Sequence, residues 1–246
     1  MNNTPNIILK REEDVGRLQI NNPPENYLEQ PDFVEIEELK NFIEAGIKAL
    51  VIEGVGRHFS AGADLEKLKE QIKDRKAFQD QLIKGNNLLN YINELEIPVI
   101  AAISGVCFGA GLEIALACDI RICDENALFA FPEVHHDLFP GLGGAKRLVE
   151  LTGRSAAIEL ALSGDMINAE KALELQIIDT LVKKNEAREY AVDLAGKITD
   201  NRPLKVIRAV MRSVHNSMSM SVDEQIKCDT EMFAELALES MNKNND

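Results

Sequence analysis

Three short apolar runs, Ala49–Glu53, Val99–Ile103 and Asp119–Cys123, alternate with stretches of helical spacing, and this alternation restricts the fold more than any other feature of the chain. Each run has strand rather than helix length, and the second is opened by Pro98. The first leads into a glycine-marked loop, Gly54–Gly62, and then a long amphipathic region from Asp64 to about Leu95. The second leads into a small-residue loop, Ser104–Gly111, and a helix over Leu112–Cys118. Strands that alternate with helices predict an α/β chain with a largely parallel sheet. Upstream, Ile7–Leu9 and Gly16–Ile20 read as a hairpin closed by Asn21–Pro24. Asp32-x-x-Glu35 resembles a capping box, with Phe33, Ile36, Leu39, Phe42, Ile43 and Ile47 at helical spacing and Gly46 as a stop. From Gly144 onward the spacing predicts helices only: 144–152, 155–162, 169–175, 186–198, 203–214 and 222–240. These helices carry apolar positions without a second core of their own, so they must pack on the sheet or on a neighbouring subunit.

The 246 residues, 45% hydrophobic and 28% charged, suit one large globular domain or two small ones. A net charge of −14 argues against a nucleic-acid surface, which needs a basic stripe for phosphates. Cys107, Cys118, Cys123 and Cys228 form no C-x-x-C pair and have no histidine at zinc spacing, so they read as reduced thiols of a cytoplasmic protein. The polar Met1–Asn6 lacks the apolar core of a secretion signal. Ile97–Cys118 is the most membrane-like stretch, but Pro98, its glycines and Glu113 make it soluble core.

Two loops stand at strand-to-helix junctions: Phe59-Ser60-Ala61-Gly62-Ala63-Asp64 and Gly105-Val106-Cys107-Phe108-Gly109-Ala110-Gly111-Leu112-Glu113. Small residues there let a ligand approach the backbone while N–H groups at a helix start face it. Two such loops could aim two amides at one carbonyl oxygen, as a developing enolate requires. Taken singly, each is also an ordinary tight turn. Glu113, in the first helical turn, is compatible with the helix dipole alone, and Glu133 with an exposed loop.

Taken together, these segments resemble the crotonase (enoyl-CoA hydratase/isomerase) superfamily. Phe59–Asp64 is similar to its F-x-A-G-A-D loop and Ile100–Asp119 to its A-x-x-G-x-x-x-G-x-G-x-E-x-x-x-x-C-D segment. Phe131–Leu148 resembles P-E-x-x-x-G-x-x-P-G-x-G-G-x-x-R-L, and Leu162–Ile178 the downstream L-x-G-x-x-x-x-A-x-x-A-x-x-x-G-L-I stretch. The resemblance implies a spiral core of repeated β-β-α turns over residues 1–190 and a helical oligomerisation region over 191–246, assembled as a homotrimer or a dimer of trimers. It implies oxyanion N–H groups at Ala63 and Ala110 and acid–base carboxyls at Glu113 and Glu133. Ala61, Gly62, Asp64, Leu65, Gly109, Gly111, Pro140 and Gly141 are expected to line the substrate. That substrate would be an acyl-CoA or acyl-carrier-protein thioester, with coenzyme A entering as part of it and no other cofactor or metal.

Adding water to an α,β-unsaturated thioester needs a base for the water and an acid for the α-carbon, and two carboxyls in different environments supply both. A double-bond isomerase needs only one, so the pair favours hydration. Isomerisation, decarboxylation, C–C cleavage or carrier-protein dehydration remain the alternatives, and a non-catalytic binding subunit the distant one. Asp137 stands where the family has glycine, after His135 and His136, which is read either as an altered pocket or proton relay or as a solvated turn. The proline-rich Asn22–Pro31 leaves the substrate's entrance open, and Lys67, Lys69 and Lys73 are candidate phosphate contacts or plain surface residues. The chain ends at Asp246, about where many relatives begin a final helix, which puts C-terminal contributions to CoA binding and subunit packing in question.

Overall fold

The computed structural model describes residues 6–243. Its main sheet has six strands, in the order β1 (Ile7–Glu12), β2 (Val15–Ile20), β3 (Ala49–Gly54), β4 (Val99–Ile103), β6 (Ile120–Asp124) and β9 (Thr180–Val182). Within this sheet the β1–β2 hairpin is antiparallel and the other described pairings are parallel. A second, three-stranded sheet joins β5 (Val106–Phe108), β7 (Leu128–Ala130) and β8 (Ile167–Asn168). The helices are α1 (Ile36–Glu44), α2 (Leu65–Gln71), α3 (Arg75–Asn93), α4 (Ala110–Leu116), α5 (Gly144–Thr152), α6 (Arg154–Ser163), α7 (Ala169–Glu174), α8 (Ala187–Thr199), α9 (Leu204–Asn216) and α10 (Val222–Lys243).

The chain advances as a spiral. Each turn places one strand in the main sheet and one extended piece in the second layer, then turns into a helix. β3 is followed by Ser60, which bridges Cys107, and then α2 and α3; β4 is followed by β5 and α4; β6 is followed by β7 and a 3-10 turn, Pro132–His136. This is the β-β-α repeat that the resemblance implied.

Both faces of the sheet are covered, which explains the continuous apolar runs. Along β3, Leu50 and Ile52 enter the main core while Ala49 and Val51 face the opposite side. There Ala187, Ala191 and Ala195 of α8, spaced four apart on one helix face, lie fully buried against them. Helix α8 therefore spans the point, residue 190, at which the core was expected to give way to the C-terminal helical region. Beyond it, α9 buries Ile207 and Met211, while Val210, Val214, Met218, Val222, Ile226, Phe233 and Leu238 are exposed. Residues 244–246, and with them the chain's end, lie outside the described residues, as do Met1–Pro5. No helix among the described residues is long and apolar enough to cross a membrane.

Several expectations need correction. The capping box at Asp32 is not formed: α1 starts at Ile36, Glu35 holds the N-cap position without a side-chain bond, and Phe33 stays outside the helix. The reason is tertiary, because the Pro31 segment lies so close to α3 that a Cβ on Gly85 would come within 2.6 Å of Pro31. Asp32 faces Lys84 of that helix instead. The 104–111 loop contains β5, and α4 begins at Ala110 rather than Leu112. The C-terminal part is not purely helical, since β8 and β9 return to the two sheets. Cys107, Cys118 and Cys123 are buried and all four thiols are free.

A buried carboxylate ties β2, β3 and α8 together. Glu53, 1% exposed, accepts bonds from Arg17 Nε (2.8 Å) and Gln19 Nε2 (2.7 Å) and pairs with Arg188. Removing a buried charge strands its partners, so Glu53→Ala is expected to cost about 3 kcal/mol. Arg188→Ala, at a half-exposed partner, should cost about 1 kcal/mol or less. Urea unfolding of the two variants checks the order; equal, small losses would show that the cluster does not hold the layers together.

Candidate active site

The two loops come together because the spiral places their extended pieces side by side. Ser60 N–H donates to Val106 O (3.1 Å) and Phe108 N–H to Ser60 O (3.0 Å). Gly62 has φ +91, and a Cβ there would stand 2.8 Å from Phe108 O and 3.3 Å from Ala110 N, so this approach requires glycine. The first loop is held on its other side by the 22–28 segment. Leu28 N–H donates to Gly62 O (2.8 Å) and Asp64 N–H to Leu28 O (3.0 Å), which leaves the Ala63 N–H between them without an acceptor among the described residues. The Ala110 N–H, first in α4, likewise has none there, as the opening turn of a helix dictates.

The second loop carries Glu113 one turn further on, its N–H bonded to Gly109 O (3.0 Å). The side chain is 1% exposed and its Oε1 accepts N–H bonds from Leu142 (2.7 Å) and Gly144 (2.8 Å). A Cβ on Gly144 would lie 2.7 Å from Glu113 Cγ and 2.9 Å from the Phe131 ring, so only glycine admits this carboxyl. Glu133 comes from the 3-10 turn after β7. A Cβ on Gly109 would lie 2.9 Å from its Oε1, which puts this second carboxyl over the start of α4; its Oε2 is buried without a partner.

Burial pushes the Glu113 carboxyl up to about 7; the Gly144 and Leu142 N–H groups oppose this, Glu133 adds to it and Arg147 opposes it. Burial also raises the Glu133 carboxyl above its ordinary value, against its own backbone N–H. Helix α4 thus has two carboxyls of raised proton affinity at its first turn, beside amides able to receive a carbonyl oxygen.

Of the other expected residues, Ala61, Gly62, Gly109 and Gly111 belong to these touching loops, and Pro140 and Gly141 to the turn leading to Leu142. Asp64 is structural in its side chain: it caps α2 by accepting from Glu66 and Lys67 N–H. Leu65, the first residue of that helix, is exposed. The candidate phosphate lysines are paired, Lys67 with Glu29, Lys69 with Glu66 and Lys73 with Glu70. His135 and His136 are exposed, which fits the solvated turn, and Asp137 ends the 3-10 helix at φ 57, the left-handed conformation for which glycine is usual and aspartate tolerated.

Sequence reasoning missed Asn26. Buried completely, it takes φ 54, donates to Val55 O (2.9 Å) and His58 O (2.7 Å), and its carbonyl accepts from Ser60 Oγ (2.8 Å). It fastens the proline-rich segment to the first loop; an asparagine after Pro-Pro was its only signal. Arg147, Asn86 and Asn90, which hold the turn before α5, were also given no role.

Glu113 binds its proton more tightly in the folded chain, near pH 7, than at its ordinary value of 4.5. The folded state therefore holds the extra proton between these values, and stability falls as pH rises through that window. Relative to the native chain, Glu113→Gln should gain about 3 kcal/mol between pH 4.5 and pH 8. Denaturant unfolding across that range measures it; a difference independent of pH would refute the raised carboxyl.

A family model described as enoyl-CoA hydratase/isomerase matches residues 10–244. The short-chain-enoyl-CoA hydratase of Clostridium acetobutylicum is 34% identical over 239 residues, covering 94% of this chain and 88% of that protein. The crotonyl-CoA hydratase of Syntrophomonas wolfei is 32% identical over 232 residues, covering 93% and 88%. Among solved structures, an enoyl-CoA hydratase from Polaromonas sp. JS666 superposes with a TM-score of 0.84 at 28% identity, over 93% of this chain and 90% of that one. With the spiral, the paired loops and this similarity over most of the chain in agreement, the chain belongs to the enoyl-CoA hydratase/isomerase family.

Proposed function

We propose that the chain is an enoyl-CoA hydratase, a hydro-lyase that adds water reversibly and with syn geometry to a trans-2-enoyl thioester. The observation that carries this reading is a pair of carboxyls at α4, Glu113 held by the Leu142 and Gly144 N–H groups and Glu133 over Gly109, on the loop that also offers the free Ala110 N–H and packs against the loop of Ala63. An isomerase would need only one of the two. The short-chain and crotonyl-CoA hydratases among the relatives support a short acyl-CoA as substrate over a carrier-protein thioester.

In this reading the thioester oxygen accepts from Ala63 and Ala110 N–H, between the chain segments of Ala61, Gly62, Asp64, Leu65, Gly109 and Gly111, with Pro140 and Gly141 beyond. The two carboxyls carry one proton between them. In this reading the anion sits on Glu113, whose Oε1 receives two N–H bonds, and the proton on Glu133, whose Oε2 has no donor facing it; because burial keeps Glu113 itself protonated up to about pH 7, the working pair forms as pH rises through that value. Glu113 takes a proton from water as its oxygen bonds to the β-carbon. The electron pair of the double bond moves onto the thioester oxygen as an enolate, held by the two amides. Glu133 then protonates the α-carbon, and return of a proton from Glu113 to Glu133 resets the pair. No step calls for a metal or a second cofactor.

Residues 191–246 are proposed to carry assembly as a homotrimer or dimer of trimers, chiefly through α9 and α10, since α8 is already committed to the sheet. The exposed Val210, Val214, Ile226, Phe233 and Leu238 on these helices need cover. The four free thiols fit a reducing compartment such as the cytoplasm.

Glu113→Gln and Glu133→Gln should each lower kcat on crotonyl-CoA at least ~100-fold while folding normally, the usual size of an acid–base contribution. Loss of the conjugated-enoyl absorbance gives the rate; near-full turnover in either variant would remove the two-carboxyl mechanism. Light scattering at micromolar concentration should give three or six copies, and the mass of a single chain would refute the assembly.

A further inference from the structure

We infer that Asn86, Asn90 and Arg147 are positioning residues for hydration, because together they fix the peptide planes whose N–H groups hold Glu113 as the base. This rests on the hydratase reading and extends it to residues that touch no reacting atom. The donors to Glu113 lie in the 140–144 turn, outside any strand ladder, so something else must aim them. Three consecutive carbonyls of that turn are each taken by a donor. Asn86 Nδ2 donates to Gly141 O (2.9 Å), Arg147 Nη1 to Leu142 O (2.7 Å), and the Arg147 backbone N–H to Gly143 O (3.2 Å).

A peptide unit is planar, so holding its carbonyl also directs the N–H on its other side. The Gly141 carbonyl shares its plane with the Leu142 N–H, and the Gly143 carbonyl with the Gly144 N–H. Those are the two amides on Glu113 Oε1. The Leu142 carbonyl lies in the plane between them. Arg147 is in turn oriented by α3, its Nη2 donating to Asn90 Oδ1 (2.8 Å), and Asn86 is anchored on the same helix through Leu82 O (2.9 Å). Asn86 and Asn90, four apart on α3, thus clamp the turn, Asn86 directly and Asn90 through Arg147.

The clamp matters chemically because Glu113 is buried, and only the two N–H groups and the Arg147 charge favour its anion, against burial and Glu133. Loosening the turn weakens that support without altering any thioester contact. The effect should therefore fall on kcat and its pH dependence and not on KM.

The test compares Asn86→Leu, Asn90→Ala and Arg147→Lys with the native protein. Asn86 is half-buried and Asn90 exposed, so their variants should fold even if the buried Arg147 proves intolerant. Arg147→Lys keeps the charge but cannot make the forked contact. Asn86→Leu and Arg147→Lys should lower kcat on crotonyl-CoA about 10-fold or more, with KM changed less than ~3-fold, as expected for a lost bond to a charge-supporting network. The acid limb of the kcat–pH profile should move to higher pH. Asn90→Ala should move it in the same direction by less. Independently of turnover, the Glu113 carboxyl band in infrared difference spectra, assigned by its loss in Glu113→Gln, should titrate at higher pH in each variant. Native titration of that band in folded Asn86→Leu and Asn90→Ala overturns the inference, whatever their rates. A displaced band with full turnover in Glu113→Gln overturns instead the reading of Glu113 as the base, while the clamp itself stands.

Discussion

Placing a glutamate inside an apolar core is the constraint on which the surrounding structure depends. Glu113 is almost fully buried in a helix whose other buried members are apolar or glycine. An isolated carboxylate there would be strongly disfavoured. Its neighbourhood answers that cost in a definite order. Two backbone amides face Oε1, a glycine at 144 leaves room for the carboxyl, and the turn carrying those amides is tied to α3 and α5. The opposition is incomplete, which leaves the carboxyl near neutrality instead of firmly ionised. A proton-transfer group is most useful in that range.

The spiral topology supplies what the helix cannot. A single loop offers one amide at a helix start, whereas successive turns of the spiral lay a second loop against the first. The Ser60–Cys107 bridge and the close approach at Gly62 are direct results of that stacking. Neighbouring parallel strands of the main sheet, β3 and β4, set the spacing of the two turns. A doubly covered sheet therefore holds both loops, and the carboxyl of Glu133, delivered by the next turn, arrives over Gly109 of the second loop.

Much of this was legible in the residues. Strands β3, β4 and β6 and most helices follow from apolar runs and 3.6-residue spacing, because burial on one or both faces writes itself into local sequence. The short strands β5, β7, β8 and β9 were not legible. Two or three residues carry no usable period, and they become strands only when the spiral brings a partner alongside. Asp32 shows the opposite failure: a sound local capping signal lost to a tertiary contact with α3.

The sequence by itself determined the kinds of group available: two glutamates, two small-residue loops and an apolar framework to hold them, in an order that resembles one superfamily. Only the tertiary structure decided that Glu113 takes its amides from residues about thirty positions away. It alone placed Glu133 over Gly109 and assigned Asn26, Asn86, Asn90 and Arg147 to the loops they hold. The physical reason is range. Periodicity and turn chemistry act over a few residues. A hydrogen bond between distant segments, or a proton affinity set by burial, exists only once the chain has closed around it.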